Sequence, residues 1–445
     1  MATRIDAEEL DRRLTRFDFA APIPIEDVLD DCVALLRKFN IHNTHPRYFG
    51  LFNPPSIFPA ALAEILVAVF NPQLAVWSQA PVAVEIEQRL VGFLGARLGF
   101  DPSLIAGSFT SGGTEANLTG VLLALTRAFP TFANDGLRAL SRQPLIYASE
   151  ESHRALLKIA HQCGLGRRAV RLISVDDALK LNVGSLERLV SADRARGAQP
   201  FLVVATAGTT SAGVIDPLEE LAALCQAQQL RLHVDAAWGG AAALSDSLRS
   251  HLGGIEQADS ITVDAHKWLS VPMGGGIFIC EDEVGLEQAF AVSATYMPAQ
   301  AGGPADPYAH SVQWSRRFTG LKLFVSLAVL GREGYAAMLE RQAELGEILR
   351  ARAEQDGWEV VNQTPFPVVC LADPRFDALS EEVRARAYGD LASHVIDSGQ
   401  AWVSMASLNG RPALRACITS FQTTEADLDI LLAGLARARE HLMRS

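Results

Sequence analysis

The stretch from Arg231 to Gly276 constrains this chain most: it opens RLHVDAAWGG, passes through a helical interval and closes SITVDAHKWLSVPMGGG. Both ends read as short apolar strands that release polar residues at their carboxyl ends. Leu232 and Val234 precede Asp235, and Ile261 and Val263 precede His266 and Lys267. In open α/β sheets that edge is where ligands bind. Desolvation at a buried strand end disfavours an ammonium group, and a lysine so placed is a good amine nucleophile toward aldehydes. Either residue alone would read better as a surface lysine or a capping aspartate; their joint occurrence argues against that.

Around this stretch the chain alternates strand and helix from about residue 106 to 280, which implies a mostly parallel sheet covered by helices on both faces. AGSFTSGGTEANLTGV reads as a strand, a glycine turn and a helix opening at Thr114. Gly112 and Gly113 leave the first-turn N–H groups of that helix accessible to an anion, although no Gly-Lys-Ser/Thr follows as in a Walker loop. QPLIYASEESHRALLKIAHQCG gives a strand from Leu145 to Ser149 and a helix from near Glu151 or Ser152, so His153 joins the rim of Asp235 and Lys267, while His161 reads as surface. FLVVATAGTTSAGVIDPLEEL is a buried strand, Phe201 to Ala205, opening into small polar residues. Pro217 suits the helix start that follows.

Outside this region, residues 5–40 read as amphipathic helices split at Pro22 and Pro24, with an apolar face and little of their own to bury. HPRYFGLFNPPS, from His45 to Ser56, is turn-rich, and an apolar helix from Pro59 to Phe70 leads into NPQLAVWSQAP. Met297–Ala309 is rich in Pro, Ala and Gly, is expected to be mobile, and carries one candidate acid, Tyr308. Long helices from Phe318 to Asp356 precede a smaller α+β region with a hairpin turn at Asn409-Gly410 and a closing helix from Glu425 to Leu442. The implied division is an N-terminal arm (1–80), a large domain (81–335) and a small C-terminal domain (336–445).

The chain has 445 residues and a net charge of −12, which argues against nucleic acid or an anionic membrane surface as its main partner. Its six cysteines are scattered without metal-like or redox-like spacing, so reduced thiols and no metal site are expected. No apolar leader or bilayer-length apolar run is seen, and a cytoplasmic location is expected.

The Asp-Ala-Ala-Trp and His-Lys-Trp elements, with the Gly-Gly-Thr turn, the Ala-Thr-Ala-Gly-Thr-Thr turn and Arg316-Arg317-Phe318, resemble the group II pyridoxal 5′-phosphate (PLP) decarboxylases. The resemblance runs from His45 to Leu442. It implies an α/β fold of PLP fold type I, aspartate-aminotransferase-like, and decarboxylation of an L-amino acid through a Lys267 Schiff base and a quinonoid. By it, Asp235 pairs with the protonated ring nitrogen, with Ala237 and His266 beside the cofactor. Gly113 and Thr114 grip its phosphate, Thr206 lies near the ring hydroxyl, and His153 stacks on the ring. Tyr308 aligns, with a one-residue gap, with the loop tyrosine that reprotonates the substrate. Phe52, Asn53, Gln73 and Ala75 fall near the substrate side chain, partly in a neighbouring subunit, where ordinary packing under a loop competes with each, and Arg415 falls at the rim, where the competing reading is an exposed arginine on a sheet. A homodimer with its active site at the subunit interface is implied.

Three other readings share parts of the pattern. Aldehyde synthases of the resembled group typically carry phenylalanine in place of the loop tyrosine. An aminotransferase or carbon–carbon lyase would share Lys267 and Asp235 without needing Tyr308, and a non-catalytic scaffold would need none of them. Trp238 and the Val-Asp-Ala-His-Lys motif look closer to the acidic and diamino-acid branches than to the aromatic one, yet no lysine or arginine occurs between residues 50 and 80. Asp264 replaces an asparagine that helps hold phosphate. An ionised aspartate is unfavourable there, so Asp264 is expected to point elsewhere.

Overall fold

A computed structural model describes residues 5–293 and 306–444. Its main feature is a seven-stranded sheet in the order Ala106–Thr110, Gly276–Cys280, Ser260–Asp264, Arg231–Asp235, Gln199–Thr206, Pro144–Ser149, Val170–Ile173. Gly276–Cys280 runs antiparallel to both of its neighbours, and the remaining pairs are parallel. Strands covered on both faces carry continuous apolar runs rather than alternation; accordingly Phe201–Ala205 and Ile277–Ile279 are buried throughout. The register sets Thr206 beside Asp235 and Asp235 beside Thr262, so neighbouring strands end at one rim.

The chain divides into two compact units. The larger, Phe52–Glu344 with Asn362–Val368, holds this sheet. Helix Gly113–Ala128 packs on it through Ala116, Asn117, Gly120 and Val121. Helix Phe58–Phe70 keeps Phe58, Leu62, Ile65, Leu66, Val69 and Phe70 exposed in the single chain. The helix after His153 starts at Ala155, later than its sequence suggests. The residues before it form a turn first, with Ser149 O accepting from Ser152 N and Ser149 Oγ from Glu151 N. The long helix Leu321–Gln355 is broken at Gly331, whose φ of 66° leaves the helical region.

The second unit comprises Met1–Leu51, Leu345–Val361 and Val369–Ser445. Strands Trp402–Leu408 and Arg411–Cys417 form its antiparallel hairpin. Asn409 and Gly410 take positive φ, 48° and 77°, as a two-residue hairpin turn requires. Phe49, Trp358, Leu391, Val395, Leu428 and Leu435 belong to its core. Helices Ala7–Leu14 and Ile25–Phe39 are separated by the segment with Pro22 and Pro24, and the second leaves Ile25, Leu29, Val33 and Leu36 exposed.

Candidate active site

A cleft of about 410 Å³ opens at the rim. Gly113, Thr114, His153, Thr206, Asp235, Ala237, His266 and Lys267 all line it, together with Phe52, Trp238 and Asp264. Apart from Phe52, these residues come from four strand ends and one helix start, which is the rim location that the strand-end polar residues point to.

Asp235 is buried and held at both oxygens. Its Oδ1 accepts from Ala237 N at 3.1 Å and its Oδ2 from Asn117 Nδ2 at 2.7 Å. Asn117 Oδ1 in turn lies 2.9 Å from His233 Nε2. Burial lowers the His233 pKa to about 4, so the imidazole is neutral near pH 7. Thr206 is fixed as well: its N–H donates to Asp216 Oδ2 at 2.8 Å, and its hydroxyl lies 3.1 Å from Ser152 Oγ. His153 is exposed at the rim, where its Nδ1 accepts at 3.2 Å from the N–H of Ala155, the first residue of the following helix.

The glycine turn approaches Asp264 closely. A Cβ on Gly113 would lie 2.7 Å from Asp264 Oδ2, so only glycine leaves this corner open. Contrary to expectation, Asp264 faces the cleft. Its Oδ2 stands 3.1 Å from Lys267 Nζ and 3.8 Å from His266 Nε2, and these neighbouring nitrogens explain why the carboxylate turns inward. His266 Nδ1 accepts from Gly275 N, and burial holds its pKa below the ordinary histidine value. Glu115 ties the turn to a distant segment: Oε2 accepts from Ser111 N and Oγ, and both oxygens accept from Gln313 Nε2.

One wall is aromatic. Phe52 stacks on Trp238 at 4.3 Å and Trp238 on Trp268 at 4.9 Å between ring centroids. Phe52 thus lines the cleft of its own chain, drawn in by stacking on Trp238. Asn53, Gln73, Ala75, Tyr308 and Arg415 are not among the lining residues. Gln73 Nε2 donates to Ser315 Oγ at 2.7 Å, and Ala75 O accepts from Tyr308 N at 3.2 Å. Strand Gln73–Leu74 pairs antiparallel with Arg316–Arg317, so these two segments are knitted together. Tyr308 sits in the short turn Pro307–His310, half-buried, with its ring stacked on Trp314 at 4.9 Å. Within Met297–Ala309, expected to be mobile, residues 297–305 lie outside the described residues. Arg415 belongs to the other unit, where it is buried and donates to Gly50 O at 2.8 Å.

Sequence reasoning passed over Asn117, His233 and Glu115. A polar Asn117 between Ala116 and Gly120–Val121, on a helix face that is mostly apolar, was the available signal.

The chain belongs to the pyridoxal-dependent decarboxylase family, whose conserved-domain model matches residues 12–372. Human cysteine sulfinic acid decarboxylase is 31% identical over 433 residues, 94% of this chain and 86% of the relative. The aromatic-L-amino-acid decarboxylase of Bacillus atrophaeus is 29% identical over 404 residues, 90% and 82% of the respective chains. The crystal structure of mouse CSAD superposes with a TM-score of 0.92 at 27% identity, covering 98% of this chain and 92% of that one. The fold is PLP fold type I, PLP is the cofactor, and the protein is a carboxy-lyase that decarboxylates an amino acid.

The cleft suits such a cofactor. A phosphate needs the N–H groups of a glycine-led helix start, an aldehyde needs an amine, and a ring nitrogen needs a fixed acceptor. Gly113–Thr114, Lys267 and the doubly held Asp235 offer these in one cavity.

Proposed function

We propose that the cleft converts an L-amino acid to its amine and CO₂ with Lys267 as the residue that carries PLP. The observation behind this is the convergence of Lys267, Asp235 and the Gly113–Thr114 turn on one cleft. When bound, PLP acts as an electron sink for the charge left by the departing carboxylate. Asp235 holds the ring nitrogen, Gly113 and Thr114 take the phosphate, Thr206 faces the ring hydroxyl, and Ala237 and His266 line the cofactor's surroundings. His153, exposed on the rim, meets the ring face and the substrate carboxylate. Phe52 and Trp238 form an apolar wall that excludes water from the reacting side. Tyr308 supplies the proton to Cα.

The protein acts as a homodimer in the cytoplasm. The unpartnered apolar faces of helices Phe58–Phe70 and Ile25–Phe39 support association, since such faces mark interaction surfaces. In this reading Asn53, Gln73 and Ala75 serve the partner's cleft. No helix among the described residues is long and apolar enough to cross a membrane.

The test is direct. Borohydride reduction of the holoprotein fixes the pyridoxyl group on Lys267, and CO₂ and amine appear together with one member of a panel of acidic, diamino and aromatic amino acids. A label on another lysine, or amino-group transfer without CO₂, rejects the proposal.

A further inference from the structure

Three buried side chains lead away from Asp235 into the sheet. Asn117 Nδ2 donates to Asp235 Oδ2 at 2.7 Å, His233 Nε2 lies 2.9 Å from Asn117 Oδ1, and His233 Nδ1 lies 2.8 Å from Ser260 Oγ. None of the four residues is more than 6% exposed. One end sets the direction of every bond. A carboxylate only accepts, so Asn117 must turn its NH₂ group toward Asp235 and its Oδ1 toward His233. His233 Nε2 must then carry hydrogen, and in the neutral ring Nδ1 is left to accept from the Ser260 hydroxyl. Thr262 Oγ1, at 3.3 Å from Nε2, is a second neighbour of that N–H. Were the amide to flip, two acceptors would face each other at Asp235, with the penalty of a buried unsatisfied group.

The packing suits this chain of bonds. His233 and Asp235, two apart on one strand, point to the same face, and the register places His233 opposite Ser260. Asn117 and Gly120 lie on one face of helix Gly113–Ala128. A Cβ on Gly120 would come within 2.7 Å of His233 Nδ1, so glycine there lets the helix lie against the imidazole.

We infer that Asn117 and His233 are positioning residues for the cofactor: the chain Ser260–His233–Asn117 locks the Asp235 carboxylate as an acceptor in one orientation, and thereby keeps the cofactor's ring nitrogen protonated. This rests on the reading that Asp235 meets that nitrogen.

The test loads the protein with PLP labelled with ¹⁵N in the ring and records the ring-nitrogen shift, alongside PLP affinity by fluorescence titration of cofactor-free protein. Asp235→Asn is the benchmark and moves the resonance toward that of an unprotonated pyridine. Asn117→Leu and His233→Leu shift it the same way and weaken PLP binding at least tenfold. His233→Gln, which retains an N–H donor for Asn117 Oδ1, stays within twofold of wild type. Where the leucine variants fail to fold, Ser260→Ala decides, with a smaller shift in the same direction expected. If Asp235→Asn moves the resonance while Asn117→Leu, His233→Leu or, in their place, Ser260→Ala leaves it at the wild-type position, the positioning chain is wrong. Equal damage in His233→Gln and His233→Leu also overturns it. An unmoved resonance in Asp235→Asn overturns the reading of Asp235 itself, and the chain with it.

Discussion

Asp264 Oδ2 stands 3.1 Å from Lys267 Nζ while bordering Gly113, at the turn suited to phosphate. The carboxylate therefore acts in two opposed ways. It is a counter-ion for Lys267, and it is a negative charge beside the turn proposed to take the phosphate. Its other oxygen, Oδ1, is buried and has no hydrogen-bond partner among the described residues.

Removing that charge while keeping the shape separates the two effects. Asp264→Asn takes away repulsion of the phosphate and frees Lys267 from its ion pair, and both changes favour cofactor binding. The PLP dissociation constant of cofactor-free protein falls about tenfold, equivalent to ~1.4 kcal/mol, as read by fluorescence titration. A weaker affinity in the variant would show that support of Lys267 outweighs repulsion.

The buried pair Glu87–Arg316 anchors the segment that follows Tyr308. Its side chains are 2% and 5% exposed and 2.5 Å apart, and Glu87 Oε1 also accepts from Thr319 N and Gly320 N. Burial pushes the Glu87 carboxyl up, with Arg316 opposing the shift. Arg316→Met leaves that carboxylate uncompensated and destabilises the fold by about 3–5 kcal/mol, measured by urea unfolding. The double variant Glu87→Gln, Arg316→Met loses less, because no lone charge stays buried.

The strand ends were legible because strands buried on both faces are written as apolar runs, and a polar residue just past such a run has few places to go except the rim. Asp235 and Lys267 were legible that way, the Gly113 turn from its glycine pair ahead of a helix start, and the Asn409-Gly410 hairpin from its turn chemistry. Asp264 was misread. Its local sequence argues for avoiding an anion site, whereas its orientation is set by Lys267 and His266 once the chain folds. Asn117 and His233 meet through the packing of a helix on a sheet, and no local period reports that. Phe52 lies in a turn-rich stretch without periodicity, and its place follows from stacking on Trp238.

His233 also marks the pH dependence of stability. Burial holds its folded pKa at about 4, against 6.5 for the free side chain. Between those values the unfolded chain binds more protons, so this contribution is complete above pH 6.5 and is lost as pH falls toward 4. Asp216 acts in the opposite sense, since burial raises its carboxyl to about 6, but it is common to wild type and His233→Gln and cancels between them. The stability of wild type relative to His233→Gln therefore falls by up to roughly 3 kcal/mol from pH 7 to pH 4. Urea midpoints at a series of pH values check this, and parallel curves would contradict it.

With Tyr308 as the proposed proton donor, its hydroxyl decides whether the reaction ends as a simple decarboxylation. Loss of CO₂ leaves an electron pair at Cα that takes up either a proton or, if protonation stalls, O₂. The Tyr308 backbone donates to Ala75 O and its ring stacks on Trp314, so Tyr308→Phe keeps both anchors and removes only the acid. The variant should unfold at the wild-type temperature and still release CO₂. Amine formation slows by about 10²-fold, within the range of a lost general acid, and part of the product appears as aldehyde, ammonia and hydrogen peroxide, with O₂ consumed as the oxidant. Simultaneous assay of CO₂, amine and peroxide measures the split. Wild-type amine yield and rate would reassign the proton to His153 or Lys267.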